Sequence, residues 1–284
     1  MGKKTIKSIR ELPRIIINTD NSVKKLIDLR ELWQYRDLFW FLVIRDIKTR
    51  YAQSIIGVGW AVIQPVFSMI IFTVVFGNIA KINSEGIPYA IFSYTALVPW
   101  TYFSSSLTDS SKSLISSKNL ITKVYFPRLV IPIAPVLAKL IDFGISFLIL
   151  LGMMVWFGVK PSIWAAFIPL FILMMMLTAA GAGMWLTALA IQYRDIQYGS
   201  NFFIQLLMYL SPVIYPASSV PDKFQLIYAL NPMVGVIEGF RAVLLGTHSM
   251  PWFYLGIGSV SAFVLFISGI LYFRHMERYF ADVA

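Results

Sequence analysis

Apolar residues run through this chain in long stretches broken by short polar ones. A helix needs about 20 mostly apolar residues to cross a hydrocarbon layer roughly 30 Å thick, so a run without Asp, Glu, Lys or Arg measures a candidate crossing. Tyr51 to Ala80 is such a run, 30 residues long. As a helix it would extend about 45 Å, which predicts one crossing near residues 57–76 with the surplus at the interface. Gly86 to Thr108, Pro161 to Tyr193, Ile196 to Pro221 and Ala242 to Phe273 supply 23, 33, 26 and 32 uncharged residues. Leu129 to Val159 makes a sixth span if Lys139 and Asp142 are accepted inside it. Phe224 to Ile237 is also apolar, but its 14 residues are too few to cross. Flanked by Pro221 and Pro232, it reads as a re-entrant or interfacial helical hairpin between spans five and six.

The expected fold is an all-α polytopic membrane protein with six transmembrane helices, an N-terminal amphipathic interfacial helix and that hairpin. Residues 1–30 form an N-terminal extension, 31–50 the interfacial helix, 51–273 the six-span domain and 274–284 a tail. Within the domain, residues 117–127 form a loop helix and 219–247 the re-entrant segment.

Composition removes the alternatives. Of the 284 residues, 58% are hydrophobic and 13% charged, against roughly 25% charged in a typical soluble domain, so a soluble fold would lack the polar surface to cover itself. Mean hydropathy is +0.71. The absence of cysteine excludes a disulfide scaffold. Six crossings put both termini on one side, and that side holds 19 of the 24 Lys and Arg residues, the other 4, with Lys139 inside a span. The positive-inside rule therefore places both termini in the cytoplasm. The net charge of +10 follows from topology, with no nucleic acid needed to explain it. The only apolar run in the first 30 residues is Ile15 to Ile17, so the first span is expected to be an uncleaved anchor.

Residues 31–50 carry two helical stripes. Arg30, Gln34, Asp37, Arg45 and Lys48 lie on one, and Trp33, Trp40, Ile44, Ile47 and Tyr51 on another. Tryptophan on the apolar stripe and cations on the other suit a helix in the headgroup layer, either as a plain anchor or with Arg45, Lys48 and Arg50 meeting an anionic lipid headgroup. The loop Ser116 to Arg128 predicts a short helix capped by its serines and stopped by Pro127. Its cations, with Tyr125 and Phe126, suit docking into a groove of a cytoplasmic partner as well as simple solvation. No G-x-x-x-x-G-K-[ST] sequence occurs, so any ATP that drives this chain is bound by another one.

Four blocks carry a resemblance: Leu32 to Pro65, Lys118 to Pro132, Tyr193 to Gln197 (YRDIQ) and Leu230 to Arg241 (LNPMVGVIEGFR). In this order they resemble the membrane-spanning permease of ABC exporters for cell-surface polysaccharides, a class that includes O-antigen, capsule and wall teichoic acid exporters. The resemblance implies a homodimer with two separate ATPase subunits, which carry the ATP and Mg. It implies a transport subunit without catalytic chemistry of its own, in the bacterial inner membrane. Its substrate would be an undecaprenyl-diphosphate-linked glycan, or in an alternative reading another lipid-linked or hydrophobic molecule. Trp40, Arg45, Lys48 and Arg50 then fall on a cytoplasmic gate helix. Lys118, Asn119, Lys123, Tyr125, Phe126, Pro127 and Arg128 fall on the coupling helix that seats in the ATPase, and Asn231, Pro232, Glu238 and Arg241 on the outer gate.

A glycan conduit needs surfaces that touch sugar C–H faces without holding them, which aromatic rings provide. The candidates are Trp60, Phe67, Tyr94, Trp100, Tyr102, Phe103, Phe202, Phe203, Tyr209 and Tyr215, each also suited to packing or to an interfacial belt. Lys139 and Asp142 share a helical face and are expected to neutralise each other as an intramembrane pair. Glu238 and Arg241 show the same spacing, where an ion pair would latch the outer gate and a charge swap would partly restore it. Gly235 and Gly239 would allow close approach there, including across a dimer axis, and Ala179 to Gly183 predicts tight helix packing. A membrane-embedded glycosyl- or phosphotransferase would need clustered acids or His, which the loops lack. A secondary transporter would show internal repeats and more midplane charges.

Overall fold

The computed structural model describes residues 33–52, 56–121, 126–193, 195–246 and 249–277. These fold into helices joined by short turns: α1 (Arg36–Tyr51), α2 (Trp60–Phe72), α3 (Tyr89–Ser116), α4 (Lys118–Ile121), α5 (Val130–Phe157), α6 (Ile168–Gln192), α7 (Asp195–Tyr209), α8 (Asp222–Ala229), α9 (Pro232–Leu244) and α10 (Trp252–Glu277). A π-helical segment, Thr73–Ile79, continues α2. The expected extension 1–30 lies outside the described residues.

Among the described residues, four helices are long and apolar enough to cross a membrane: Trp60–Ile79, Val130–Phe157, Ile163–Gln192 and Trp252–Glu277. Two of the six expected crossings fall short of that measure for identifiable reasons. The second, α3, has 28 residues, but its latter half carries Ser104 to Ser106, Ser110, Ser111 and Asp109. The fifth, α7, has 15 residues, about 22 Å of helix, before the chain turns at Leu210. The short apolar segment after it folds as two helices, α8 and α9, bent by 104°. Counted as one span, this pair makes a fifth crossing.

Local chemistry sets the helix ends. Gly158 closes α5 in the left-handed region at φ 68°, where a Cβ would be strained. Asn231 opens α9 by accepting from the Met233 N–H, and Pro232 follows where no N–H is needed.

The centre of the bundle is α3, which buries 19 of its residues and touches α2, α5, α6, α7 and α9. The α6 and α10 pair approaches closely through the expected small residues. A Cβ on Gly181 would sit 2.7 Å from the Leu265 carbonyl, and one on Gly269 would sit 2.5 Å from the Gly181 oxygen. Gly235 abuts the Tyr254 carbonyl of α10, and Gly239 the Phe171 ring of α6. The close approach expected of these two glycines is therefore made inside one chain, and a dimer axis is not needed to account for them.

Helix α1 lies along α5 through a face the two-stripe pattern missed. Leu42 and Val43 are buried against Val130, Ala134 and Ala138, with Phe39 and Ile47 beside them. Trp33, Trp40 and Ile44 remain exposed.

Candidate functional site

Two charged centres interrupt the apolar bundle, one near each end of α3. At the first, the C-terminal turn of α1 brings Arg50 against α3 and α5. Arg50 Nη1 donates to Asp142 Oδ2 at 2.7 Å and Nη2 to Asp109 Oδ2 at 2.9 Å. Lys139 Nζ lies 3.2 Å from Asp109 Oδ2 and 3.5 Å from Asp142 Oδ2. The Tyr51 hydroxyl donates to Asp142 Oδ1. Burial, and then the Asp142 carboxylate, push the Tyr51 phenol up to about 12, so it stays a donor across the physiological range.

The expected Lys139 and Asp142 pair is thus half of a four-charge cluster in which two cations share two carboxylates. Such a cluster carries no net charge and joins three helices. Sequence reasoning placed Arg50 with a lipid headgroup and used Asp109 only as the end of an apolar run. Tertiary packing of α1 on α5 unites them, a contact that no local pattern encodes.

Two cavities flank this cluster. An open groove of about 540 Å3 is lined by Arg45, Asp46, Thr49, Arg50, Asp109 and Lys112, with Ser113 and Ser116. A narrower crevice of about 120 Å3 runs between α2, α3 and α5, past Trp60, Gln64, Thr101, Ser105 and Ser146. Arg50 lines both. Arg45 is held by its neighbour Asp46 at 2.9 Å and reaches Ser117 Oγ at 3.4 Å, whereas Lys48 is exposed.

The second centre lies about 25 Å away along α3, seventeen residues at the helical rise. Arg241 on α9 is fully buried. Its Nη1 meets Glu238 Oε1 at 2.9 Å and its Nη2 donates to the Val213 carbonyl at 3.2 Å. The guanidinium stacks 3.7 Å from the centre of the Phe92 ring. Glu238 Oε1 also accepts from the Ala217 N–H at 3.1 Å. The Tyr89 hydroxyl donates to the Ile214 carbonyl at 2.7 Å, and Asn231 Nδ2 to Ser211 Oγ at 2.9 Å. The expected pair forms, and it also clamps the turn after α7 between α3 and α9.

The segment after α3 is placed in part. Lys118 and Asn119 lie in the short α4, and Lys118 is exposed. Lys123 and Tyr125 lie outside the described residues. Phe126 is buried in the main core, and Arg128 Nη1 donates to the Glu277 carbonyl at 3.0 Å.

Comparison with known proteins places these features in a family. The model of the ABC-2 type transporter family matches residues 37–245. The chain belongs to that family. An O-antigen export system permease of Klebsiella pneumoniae is 28% identical over 248 residues, covering 87% of this chain and 95% of the relative. One from Myxococcus xanthus is 28% identical over 88% of this chain and 97% of the relative. A polysialic acid transport protein of Escherichia coli is 22% identical over 84% and 92%.

In this ABC-2 permease the ten candidate aromatic residues divide sharply. Tyr94, Trp100, Tyr102 and Phe103 are buried in the core, and the Tyr102 hydroxyl donates to the Val136 carbonyl at 3.0 Å. Their rings are occupied by contacts within the chain. Trp60, Phe67, Phe202, Phe203 and Tyr209 are exposed, and Tyr215 is half-buried, its hydroxyl donating to the Tyr209 carbonyl. Of the ten, the exposed set on α2 and α7 is the one that presents ring faces beyond this chain.

Proposed function

We propose that this chain is the permease subunit of an ATP-driven exporter that moves a lipid-linked cell-surface polysaccharide, of the O-antigen or teichoic acid kind, across the bacterial inner membrane. The observation that carries the reading is the alignment along nearly the whole length of both chains with proteins named as O-antigen export permeases. In this reading two copies form the membrane unit and two ATPase subunits, holding ATP and Mg, dock beneath. The chain crosses six times, with α3 and α7 completing the count and both termini cytoplasmic.

The physical features suit those roles. The exposed Trp33 and Trp40 and the cations of α1 suit a helix that meets lipid headgroups and gates entry, and the open groove beside it offers Arg45 and Lys112 to a diphosphate. Residues 118–128 form the coupling segment, with Lys118 facing the ATPase. The bent pair α8 and α9, with Asn231, Pro232, Glu238 and Arg241, forms the outer gate. The exposed rings on α2 and α7 suit a conduit for sugar chains.

The test reconstitutes the chain with and without its ATPase partner in vesicles containing a polyprenyl-diphosphate-linked glycan. ATP-dependent movement of the glycan only in the complete system is the expected result. Movement by this chain alone, without ATP, would overturn the proposal.

A further inference from the structure

Arg50 lines both the open groove and the narrow crevice between α2, α3 and α5, so its side chain is a wall between them. It stands there because Asp109 and Asp142 hold its two Nη groups from opposite helices, at 2.9 and 2.7 Å. The bonds are charge-assisted, yet they are not sealed from water: Asp109 has 40% of its side chain exposed. A guanidinium held by two separate carboxylates can be recruited by a diphosphate, whose phosphoryl oxygens accept from the planar guanidinium fork in bidentate fashion and whose two negative charges exceed that of either carboxylate. The groove already places Arg45 and Lys112 around the space such a group would fill, with the hydroxyls of Thr49, Ser113 and Ser116. Lys139 lies within 3.5 Å of both acids, so Asp109 and Asp142 keep a cation when Arg50 leaves. Release leaves one cation between two carboxylates, and the excess negative charge falls to Asp109, whose side chain is 40% exposed to water.

We propose that Arg50 is a releasable partition: a diphosphate group entering the groove draws Arg50 away from Asp109 and Asp142 and joins the groove to the crevice beneath α2. The inference rests on the reading of a diphosphate-bearing substrate given above. It adds that the headgroup itself opens the path, with Lys139 and the water around Asp109 limiting the cost of release.

The chain has no cysteine, so a single Ser105→Cys substitution reports access to the crevice without background. The permease with its ATPase partner is placed in nanodiscs of neutral lipid and labelled with a membrane-impermeant trimethylammonium methanethiosulfonate. Inorganic pyrophosphate in the buffer, or a polyprenyl diphosphate in the lipid, is expected to speed labelling about tenfold, the equivalent of removing one charge-assisted hydrogen bond. The two arms separate a soluble from a lipid-borne source of the same group. Arg50→Ala is expected to give fast labelling without any anion. Lys112→Ala is expected to lose the anion effect while keeping the slow basal rate. Arg50→Lys, which retains the charge without the fork, is expected to label at an intermediate rate and guards against misfolding as an explanation. Labelling unchanged by both diphosphates in the Arg50-intact complex would overturn the proposal. Glycan movement measured on matched vesicles stands apart: export with unchanged labelling removes the partition and leaves the transport reading intact.

Discussion

Arg241 and Glu238, 2.9 Å apart on one face of α9, hold a turn of the chain as well as each other. The guanidinium also reaches the carbonyls of Val213 and Tyr215, and the carboxylate reaches the Ala217 N–H. The two residues are therefore not interchangeable. Arg241→Ala leaves a buried carboxylate without its cation and is expected to cost about 3–5 kcal/mol of stability, together with loss of transport. The charge swap expected from spacing alone to restore function in part should instead do no better than Arg241→Ala, because a carboxylate at 241 would face two carbonyl oxygens. Denaturant midpoints of the singles and the swap decide this, and recovery in the swap would contradict the clamp.

The α6 and α10 contact makes a second prediction. A methyl group at Gly181 meets backbone atoms of Leu265 and Phe266 at 2.7 Å, and backbone cannot step aside as a flexible side chain can. Gly181→Ala should destabilise by about 1–3 kcal/mol. Gly152→Ala on α5, where nothing lies within 4 Å, should be neutral or slightly stabilising through helix propensity. A thermal unfolding comparison in the same detergent checks the pair. Equal losses at both sites would show that the close approach is not what Gly181 serves.

The uneven legibility of the molecule follows from the range of the interactions. Charge-free runs read out α2, α6 and α10, and a run broken only by Lys139 and Asp142 read out α5, because hydrocarbon thickness acts on each span separately. The Glu238 and Arg241 pair was visible because it is local to one helix turn. Missed were the contacts between distant segments: Arg50 with Asp109, Arg241 with Phe92, Tyr89 with Ile214. Each of these residues was on view, but spacing along a chain does not say which helices become neighbours. The serines of α3 bond across helices as well. In α3 they face a protein interior, bonding carbonyls such as Pro132 through Ser110, so low apolarity marks a central helix and not a short one.

The division of the aromatic residues gives a third prediction. Phe202, Phe203 and Tyr209 are exposed on α7, so their removal deletes little packing in the chain beyond the contact between the Phe202 and Phe203 rings. Phe203→Ala and Tyr209→Ala should lower glycan transport several-fold with thermal stability unchanged within about 0.5 kcal/mol. Tyr102→Phe, which strips the donor from the Val136 carbonyl, should cost about 1 kcal/mol of stability. The informative measurement is the pair of readouts on each variant. Reversal of the pattern would return the conduit to the α3 rings.

Coupling to the ATPase separates two residues that the resemblance groups together. Phe126 is buried in the main core, so Phe126→Ala should act on the permease itself, lowering its stability by about 3–5 kcal/mol through the cavity it leaves. Lys118 is exposed at the start of α4. Lys118→Glu should weaken ATPase association several-fold, out of proportion to any change in the melting temperature of the isolated permease, with a salt dependence smaller than that of the unsubstituted protein. Pull-down of the ATPase at two ionic strengths, beside a melting curve for each variant, tests both residues. Loss of association by Phe126→Ala at unaltered stability would mean that its ring leaves the core to meet the partner.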